Sequence, residues 1–104
     1  MTGEKLVIST AGSRDEASRI AKALVEESLA ACVNVVGPIE SVYRWQGNVE
    51  RAEEYLMLIK TTAGKSANAT ARLRALHSYE VPEAIEIDIT GGSAEYLRWI
   101  QESV

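Results

Sequence analysis

Three side chains in the sequence, Cys32, His77 and Glu80, are of the types that bind transition metals. The chain has one cysteine and one histidine, and they lie too far apart in sequence to form the spacing signature of a metal site. Each also has a structural explanation. Cys32 lies in the apolar run Ala30-Ala31-Cys32-Val33, where cysteine usually acts as a small hydrophobe. His77 lies at a predicted helix end, where a cation interacts favourably with the helix dipole. The residues alone leave both explanations open.

A second group of residues could line a pocket or an interface. The segment Tyr79-Glu80-Val81-Pro82-Glu83 places an aromatic ring, a carboxylate and a rigid proline directly before a predicted strand. A proline that ends a helix beside a packed tyrosine explains the same segment. Lys60, at the end of a long predicted strand, is either solvated or a partner for Glu54 or Glu80. Trp45 lies beside a tight turn and would be exposed on an isolated chain, which favours a contact between subunits.

The motifs of several common enzyme classes are absent from the sequence. There is no Gly-x-Ser-x-Gly nucleophile motif, no phosphate-binding loop and no dinucleotide-binding fingerprint. The chain has one histidine, His77, and so only one imidazole that could serve as a general base. The sequence therefore predicts a protein that is not an enzyme.

Length and composition fit one globular domain over residues 1–104. The net charge of −4 argues against nucleic acid as a partner, because phosphate binding depends on clustered lysine and arginine. No apolar run is long enough to span a membrane, and one cysteine cannot form an internal disulfide. We therefore expect a cytoplasmic protein that binds neither nucleic acid nor a membrane.

The elements that position these residues follow from the hydrophobic pattern. A short β-prone run over residues 5–10 predicts a first strand. Ser13 and Glu16 fit a capping box, so a helix is expected to begin there, and its apolar stripe continues to Leu29. Residues 32–45 predict a second, long strand with a bend or bulge at Pro38, because proline cannot donate to the ladder.

The return strand of the hairpin is expected from about residue 49 to residue 60. Gly47-Asn48 is a good hairpin dipeptide and is predicted to supply the two turn residues. That register brings Arg44 directly opposite Arg51, and like charges in that position are unfavourable.

The second half of the chain completes a familiar order of elements. A helix is expected from about residue 69 to His77, a strand over residues 84–90, and a short final helix capped by Ser93. This order is that of the α+β, ferredoxin-like βαββαβ sandwich, with two helices on one face of an antiparallel sheet. Each arm of the hairpin approaches about twice the usual strand length. Such an overhang favours strand pairing with other copies of the chain.

Five segments, taken together and in order, cover most of the chain. They are Ala30-Ala31-Cys32-Val33-Asn34, Ser41-Val42-Tyr43-Arg44-Trp45-Gln46-Gly47, Glu54 with Ile59-Lys60-Thr61, His77-Ser78-Tyr79-Glu80-Val81-Pro82-Glu83, and Tyr96-Leu97-Arg98-Trp99-Ile100. Together they resemble the CutA divalent-cation tolerance family. In one departure from the family, Ser78 occupies the position where proline is common. The absence of that proline is expected to loosen the backbone that leads to Tyr79.

The resemblance implies a ferredoxin-like fold, a cytoplasmic setting, and a homotrimer joined by strand pairing between subunits. It also implies a role in the tolerance of divalent metal ions such as copper. The metal site that it suggests consists of Cys32, His77 and Glu80, completed between subunits, with copper or another divalent transition metal as the ion. The residues that it suggests for a pocket or an interface are Tyr43, Trp45, Glu54, Lys60, Tyr79 and Trp99.

Two other functions are compatible with the same fold. A signalling module similar to the trimeric PII proteins would bind a small anionic metabolite between subunits, although the sequence has no glycine-rich phosphate loop. A structural scaffold with only an indirect link to metals would show no metal binding beyond that of an ordinary protein surface.

Overall fold

The computed structural model of the protein describes residues 3–104. In chain order these residues form β1 Glu4–Ala11, α1 Arg14–Glu26, β2 Cys32–Trp45, β3 Asn48–Thr62, α2 Ser66–Leu76, β4 Ile85–Ile89 and α3 Ala94–Glu102. The strands form one antiparallel sheet in the order β2-β3-β1-β4. The predicted α+β class and the ferredoxin-like order of elements are confirmed.

Serine side chains cap the first and the last helix, as the sequence predicts. Ser13 Oγ accepts a hydrogen bond from the Glu16 backbone N–H at 3.1 Å at the start of α1. Ser93 Oγ accepts one from the Tyr96 N–H at 3.3 Å at the start of α3. Both contacts satisfy N–H groups that a helix leaves unpaired.

Within residues 3–104, no helix is long and apolar enough to cross a membrane.

The core lies between the sheet and the helices α1 and α2. Apolar side chains of β1 and β3 meet the apolar stripe of α1 there, and removal of this surface from water is the main favourable contribution to folding. The largest side chains of this core are those of Val7, Ile20, Leu24, Met57, Ile59 and Leu73, all of them buried.

The opposite face of the sheet, here called the open face, is apolar and only partly covered. Successive side chains of a strand alternate between faces, so Leu6 and Ile8 lie on the face opposite Val7. They pair across the strands with Ile87 and Ile85 of β4. α3 contacts β1 and β3, but Ile85 and Ile87 stay 51% and 43% exposed.

The hairpin turn differs from the predicted one by one residue. Trp45 pairs with Asn48, so the turn residues are Gln46 and Gly47, with positive φ angles of 51° and 84°. A two-residue turn with positive φ at both positions matches the twist of the two strands. The register places Arg44 opposite Val49 instead of an arginine, which removes the repulsion that the predicted register would create. The predicted choice of Gly47-Asn48 as the turn was therefore wrong.

The predicted interruption of β2 at Pro38 is confirmed. The register between β2 and β3 shifts between Val36 and Ile39, so Gly37 and Pro38 have no partners in the ladder. The Tyr55 ring lies so close to Gly37 that a Cβ atom there would overlap it. Arg14 fixes the bulge from the helix side, because its guanidinium donates to the Gly37 carbonyl at 3.1 Å and lies 4.9 Å from the Tyr55 ring centre.

Candidate functional site

His77 follows the last residue of α2, and its ring is buried. Nε2 lies 2.7 Å from the Thr10 carbonyl oxygen and must donate to it. Nδ1 lies 3.0 Å from the Tyr79 backbone N–H and accepts from it. The two contacts fix a neutral imidazole with its proton on Nε2. Both ring nitrogens are therefore engaged within the chain.

Glu16 holds the segment after His77 against the N-terminal turn of α1. The Ser78 N–H donates to Glu16 Oε2 at 2.7 Å, and the Ser78 hydroxyl donates to Oε1 at 3.0 Å. Burial by itself would raise the pKa of Glu16, but the two hydrogen bonds from Ser78 and the one from the Gly12 backbone lower it. The expected loosening by Ser78 is not seen, because Ser78 supplies two hydrogen bonds and a proline could supply neither.

Tyr79 connects this segment to the base of the hairpin. Its ring packs against the His77 ring with 4.6 Å between centres, and its hydroxyl donates to Glu54 Oε2 at 2.7 Å. Burial and the adjacent Glu54 carboxylate raise the pKa of Tyr79 above its ordinary value. The hydroxyl passes close to Gly12, where an added Cβ atom would lie 3.1 Å from it. Tyr79 is therefore neutral and fixed in place.

A groove of about 580 Å³ lies between the hairpin and the segment 79–83. Carboxylates and aromatic rings dominate its lining, and burial with the nearby Glu54 raises the pKa of Glu83. Five residues that the sequence singles out, Tyr43, Trp45, Glu54, Tyr79 and Glu80, lie together here. The full lining consists of Thr10, Ser41, Val42, Tyr43, Trp45, Glu50, Glu54, Tyr79, Glu80, Val81 and Glu83.

Cys32 and Lys60 lie elsewhere on the sheet. They face each other across β2 and β3, where Lys60 Nζ donates to Asn34 Oδ1 and Cys32 Sγ lies 4.0 Å from the same oxygen. Lys60 pairs with Leu6 of β1, four residues before the Thr10 that contacts His77. That separation corresponds to about 13 Å along the strand.

The structure therefore separates the predicted metal ligands within one chain. Cys32 is distant from His77 and Glu80, and within residues 3–104 no group of three or more histidine, cysteine, aspartate or glutamate side chains could hold a metal ion. Trp99 lies on α3, 5.4 Å from Tyr96 between ring centres, away from the groove lining. The metal assignment to these residues stays a prediction.

Two carboxylates, Glu50 in the groove lining and Glu16 outside it, were missed as parts of this site by sequence reasoning. Glu50 stands among other charged residues, and nothing local marks it as a neighbour of the segment 79–83. Glu16 was identified only as a capping residue, because its contact with Ser78 joins positions 62 residues apart. The alternation of β3 places Glu50 and Glu54 on one face and was the available signal for their relation.

Comparison with known proteins gives a consistent result over nearly the whole chain. Residues 5–103 match the family model for the CutA1 divalent ion tolerance protein. The divalent-cation tolerance protein CutA of Thermus thermophilus is 48% identical over 100 residues, which cover 96% of this chain and 97% of that protein. Its solved structure superimposes with a TM-score of 0.94. A structure from Archaeoglobus fulgidus is 43% identical with a TM-score of 0.93 and covers 96% of this chain and 97% of that one.

The relatives also correct the expected location. The Archaeoglobus protein is described as periplasmic. The chloroplastic protein CutA of Arabidopsis thaliana is 44% identical over 98 residues, which cover 94% of this chain and 54% of that protein. The cytoplasmic assignment drawn from the sequence was therefore wrong as an inference. An acidic composition and a single cysteine are compatible with several compartments. They exclude an internal disulfide bond but do not determine where the protein is located.

Proposed function

Because the chain belongs to the CutA1 divalent ion tolerance family, we propose that it acts in metal tolerance as a homotrimer that binds divalent ions between subunits. Neither the family description nor the names of these relatives gives an enzymatic activity. Binding and assembly, without a catalytic step, make up the proposed activity.

The observation that supports the assembly is the partly covered, apolar open face of a sheet whose two outer strands each pair with one neighbour among residues 3–104. β2 pairs only with β3, and β4 pairs only with β1, among the strands of residues 3–104. Val36, Ile85 and Ile87 are 43% to 51% exposed, and such a patch is unusual on a monomer. Other copies of the chain that cover the open face would remove its apolar side chains from water. Pairing with the outer strands would satisfy the backbone groups at the sheet edges.

The proportions of the molecule support the same proposal. The chain measures 43 × 25 × 22 Å, and its long axis reflects strands of 14 and 15 residues in β2 and β3. Trp45 and Val49 near the hairpin end are 44% and 64% exposed. An arm that carries apolar side chains beyond its own core is suited to contact a second copy.

Light scattering tests the assembly directly. We expect three times the chain mass of 11.3 kDa, unchanged on dilution to low concentration. A stable monomer or dimer would contradict the proposed trimer.

The metal part of the proposal requires donors from more than one copy. Cys32 offers a soft thiol, which suits copper better than magnesium or calcium. His77 could contribute only by giving up its bond to Thr10 or to the Tyr79 N–H. Glu80 is exposed and available to a second chain.

Copper titration tests this part. We expect Cys32→Ser and His77→Gln to weaken the binding of Cu(I) or Cu(II) to the assembled protein, and the double variant to weaken it most. Glu26→Gln, an exposed change on α1, is the control. Equal affinity in the double variant and the unmodified protein would rule out this site.

A further inference from the structure

The hydrogen bonds of His77 determine which of its ring nitrogens is able to bind a ligand. Nε2 donates to the Thr10 carbonyl at 2.7 Å, so the lone pair in the plane of the ring that remains for bonding is on Nδ1. A histidine that binds a metal generally donates its other ring N–H to a carbonyl or carboxylate, which fixes the tautomer and the orientation of the ring. The Thr10 carbonyl is in that position. The nitrogen of His77 that is prepared for a ligand is therefore Nδ1.

This nitrogen is covered by the chain itself. Nδ1 accepts from the Tyr79 backbone N–H at 3.0 Å, and Glu16 Oε2 lies 3.7 Å from it. The side chain of His77 is 0% exposed. An N–H group thus occupies the lone pair that an external ligand would need, and solvent does not reach the ring.

The covering residues are 78–84, here called the latch, and they have few ties to the rest of the fold. Among the described residues, no backbone–backbone hydrogen bond joins the latch to another part of the chain. The latch also buries little apolar surface, since Tyr79 and Val81 are 36% and 69% exposed. A segment of this kind opens locally at a lower free energy than the whole fold requires. We therefore expect the latch to open while the sheet and the helices stay folded.

Side-chain contacts hold the latch closed at two points. Glu16 of α1 accepts from the Ser78 N–H and from its hydroxyl, at 2.7 and 3.0 Å. Glu54 of β3 accepts from the Tyr79 hydroxyl at 2.7 Å. Hydrogen bonds to carboxylates are stronger than those between neutral groups. Closure thus depends on a small number of contacts, and single substitutions remove them one at a time.

We propose that the latch controls access to His77. In the closed state the Tyr79 N–H occupies Nδ1, and opening of the latch exposes this nitrogen to a ligand. The inference rests on the proposed role of His77 as a metal ligand and concerns the regulation of that site. The apparent affinity of such a site is reduced by the fraction of chains in which the latch is open. The contacts of Ser78 and Tyr79 therefore set how tightly the site binds.

Modification of the full-length protein in its native assembly by diethyl pyrocarbonate tests the proposal. The reagent carbethoxylates accessible imidazoles, and the chain has one histidine. We expect the native protein to react much more slowly than the urea-unfolded chain. Ser78→Ala, which removes the hydroxyl bond to Glu16, and Tyr79→Phe, which removes the bond to Glu54, should each raise the rate about fivefold.

Gly37→Ala is the control for unfolding of the whole chain. The added methyl group would overlap the Tyr55 ring at the bulge in β2, so the variant lowers overall stability and leaves the contacts of Ser78 and Tyr79 in place. We expect it to leave the rate of His77 modification unchanged, because the ring becomes accessible by local opening.

Copper titration of the same variants separates the latch from the proposed metal site. Where His77 binds the ion, Ser78→Ala should tighten binding about fivefold, in proportion to the rise in the modification rate. Unchanged copper affinity together with faster modification would support the latch and remove His77 from the proposed metal site.

Three results would overturn the latch. The first is modification of the native protein as fast as that of the unfolded chain, which would show that His77 is not covered. The second is an unchanged rate in both Ser78→Ala and Tyr79→Phe. The third is equal acceleration by Gly37→Ala, which would show that the ring is exposed only when the whole chain unfolds.

Discussion

At the scale of single residues, the carboxylate of Glu16 joins two parts of the chain that lie 62 residues apart. It fixes Ser78, and Ser78 lies between His77, which contacts the Thr10 carbonyl, and Tyr79, which donates to Glu54. The wall of the groove thus depends on a hydrogen-bond chain that begins at the N-terminus of α1. Loss of Glu16 should affect a surface that Glu16 does not itself line.

The lowered pKa of Glu16 predicts a specific acid sensitivity. Because its pKa is lower in the folded chain than the unfolded value of 4.5, ionised Glu16 stabilises the fold above that pH. The stabilisation is lost as the pH falls through the folded-state pKa. We expect Glu16→Gln to reduce the free energy of unfolding at pH 7 by about 1–3 kcal/mol, and the difference to shrink on acidification. Urea denaturation at several pH values measures this, with Glu26→Gln as the control. A pH-independent difference would contradict the assigned role of the charge.

Tyr79 should differ from the other tyrosines in its ionisation. The raised pKa means that the neutral form is favoured by folding, so this contribution is present below the unfolded value of 10.0 and is lost as the pH rises through the folded-state pKa. Absorbance titration of the phenolates should show that one of the four tyrosines ionises after the rest. Tyr79→Phe should remove that late step, and Tyr96→Phe should retain it. A late step that survives in Tyr79→Phe would show that another tyrosine is responsible.

At the scale of elements, the bulge in β2 interrupts the register of the hairpin between Val36 and Ile39, and a bulge bends the strand that contains it. Gly37 is packed against the Tyr55 ring, and Arg14 at the start of α1 holds its carbonyl. A basic residue at a helix N-terminus is unfavourable with respect to the helix dipole. Its contacts with Gly37 and Tyr55 explain why an arginine is nevertheless suited to this position.

Substitution of Gly37 tests how much the bulge depends on this close contact. We expect Gly37→Ala to destabilise the fold by about 1–3 kcal/mol, because the new methyl group must displace the Tyr55 ring from a packed position. Gly64→Ala is the matched control, since an added Cβ atom there meets nothing within 4 Å. Thermal unfolding of both variants measures the difference. Equal melting temperatures would show that the ring moves without cost.

At the scale of the whole molecule, the open face should determine the state of assembly. Ile87 and Val25 are exposed to a similar extent, 43% and 42%, but Ile87 lies on the open face and Val25 on α1. We expect Ile87→Lys to dissociate the assembly while the chain stays folded, because a buried lysine without a partner is costly at an interface. Val25→Lys should leave it intact. Light scattering with circular dichroism separates the two effects, and dissociation by both changes would contradict an interface on the open face.

Local patterns predict the elements well: the capping serine of α1, the break at Pro38 and the alternating β4 all depend on neighbours in sequence. The hairpin register was not fixed, because Gln46-Gly47 and Gly47-Asn48 both contain a residue suited to a turn. The groove was predicted in part, through Tyr43, Trp45 and Tyr79. The bond from Glu16 to Ser78 has no local signal and appears only once α1 and the end of α2 are packed together.

The central position of β1 has a consequence for the order in which the protein can mature. Its two neighbours, β3 and β4, are synthesised after it, and Ile8 pairs with Leu58 on one side and with Ile85 on the other. A nascent chain that has emerged only as far as α2 can form the hairpin and the helix-covered core, but it leaves one side of β1 without a partner. An exposed strand edge of this kind recruits other chains. β4, which is synthesised after α2, is therefore the strand that protects β1 from mispairing.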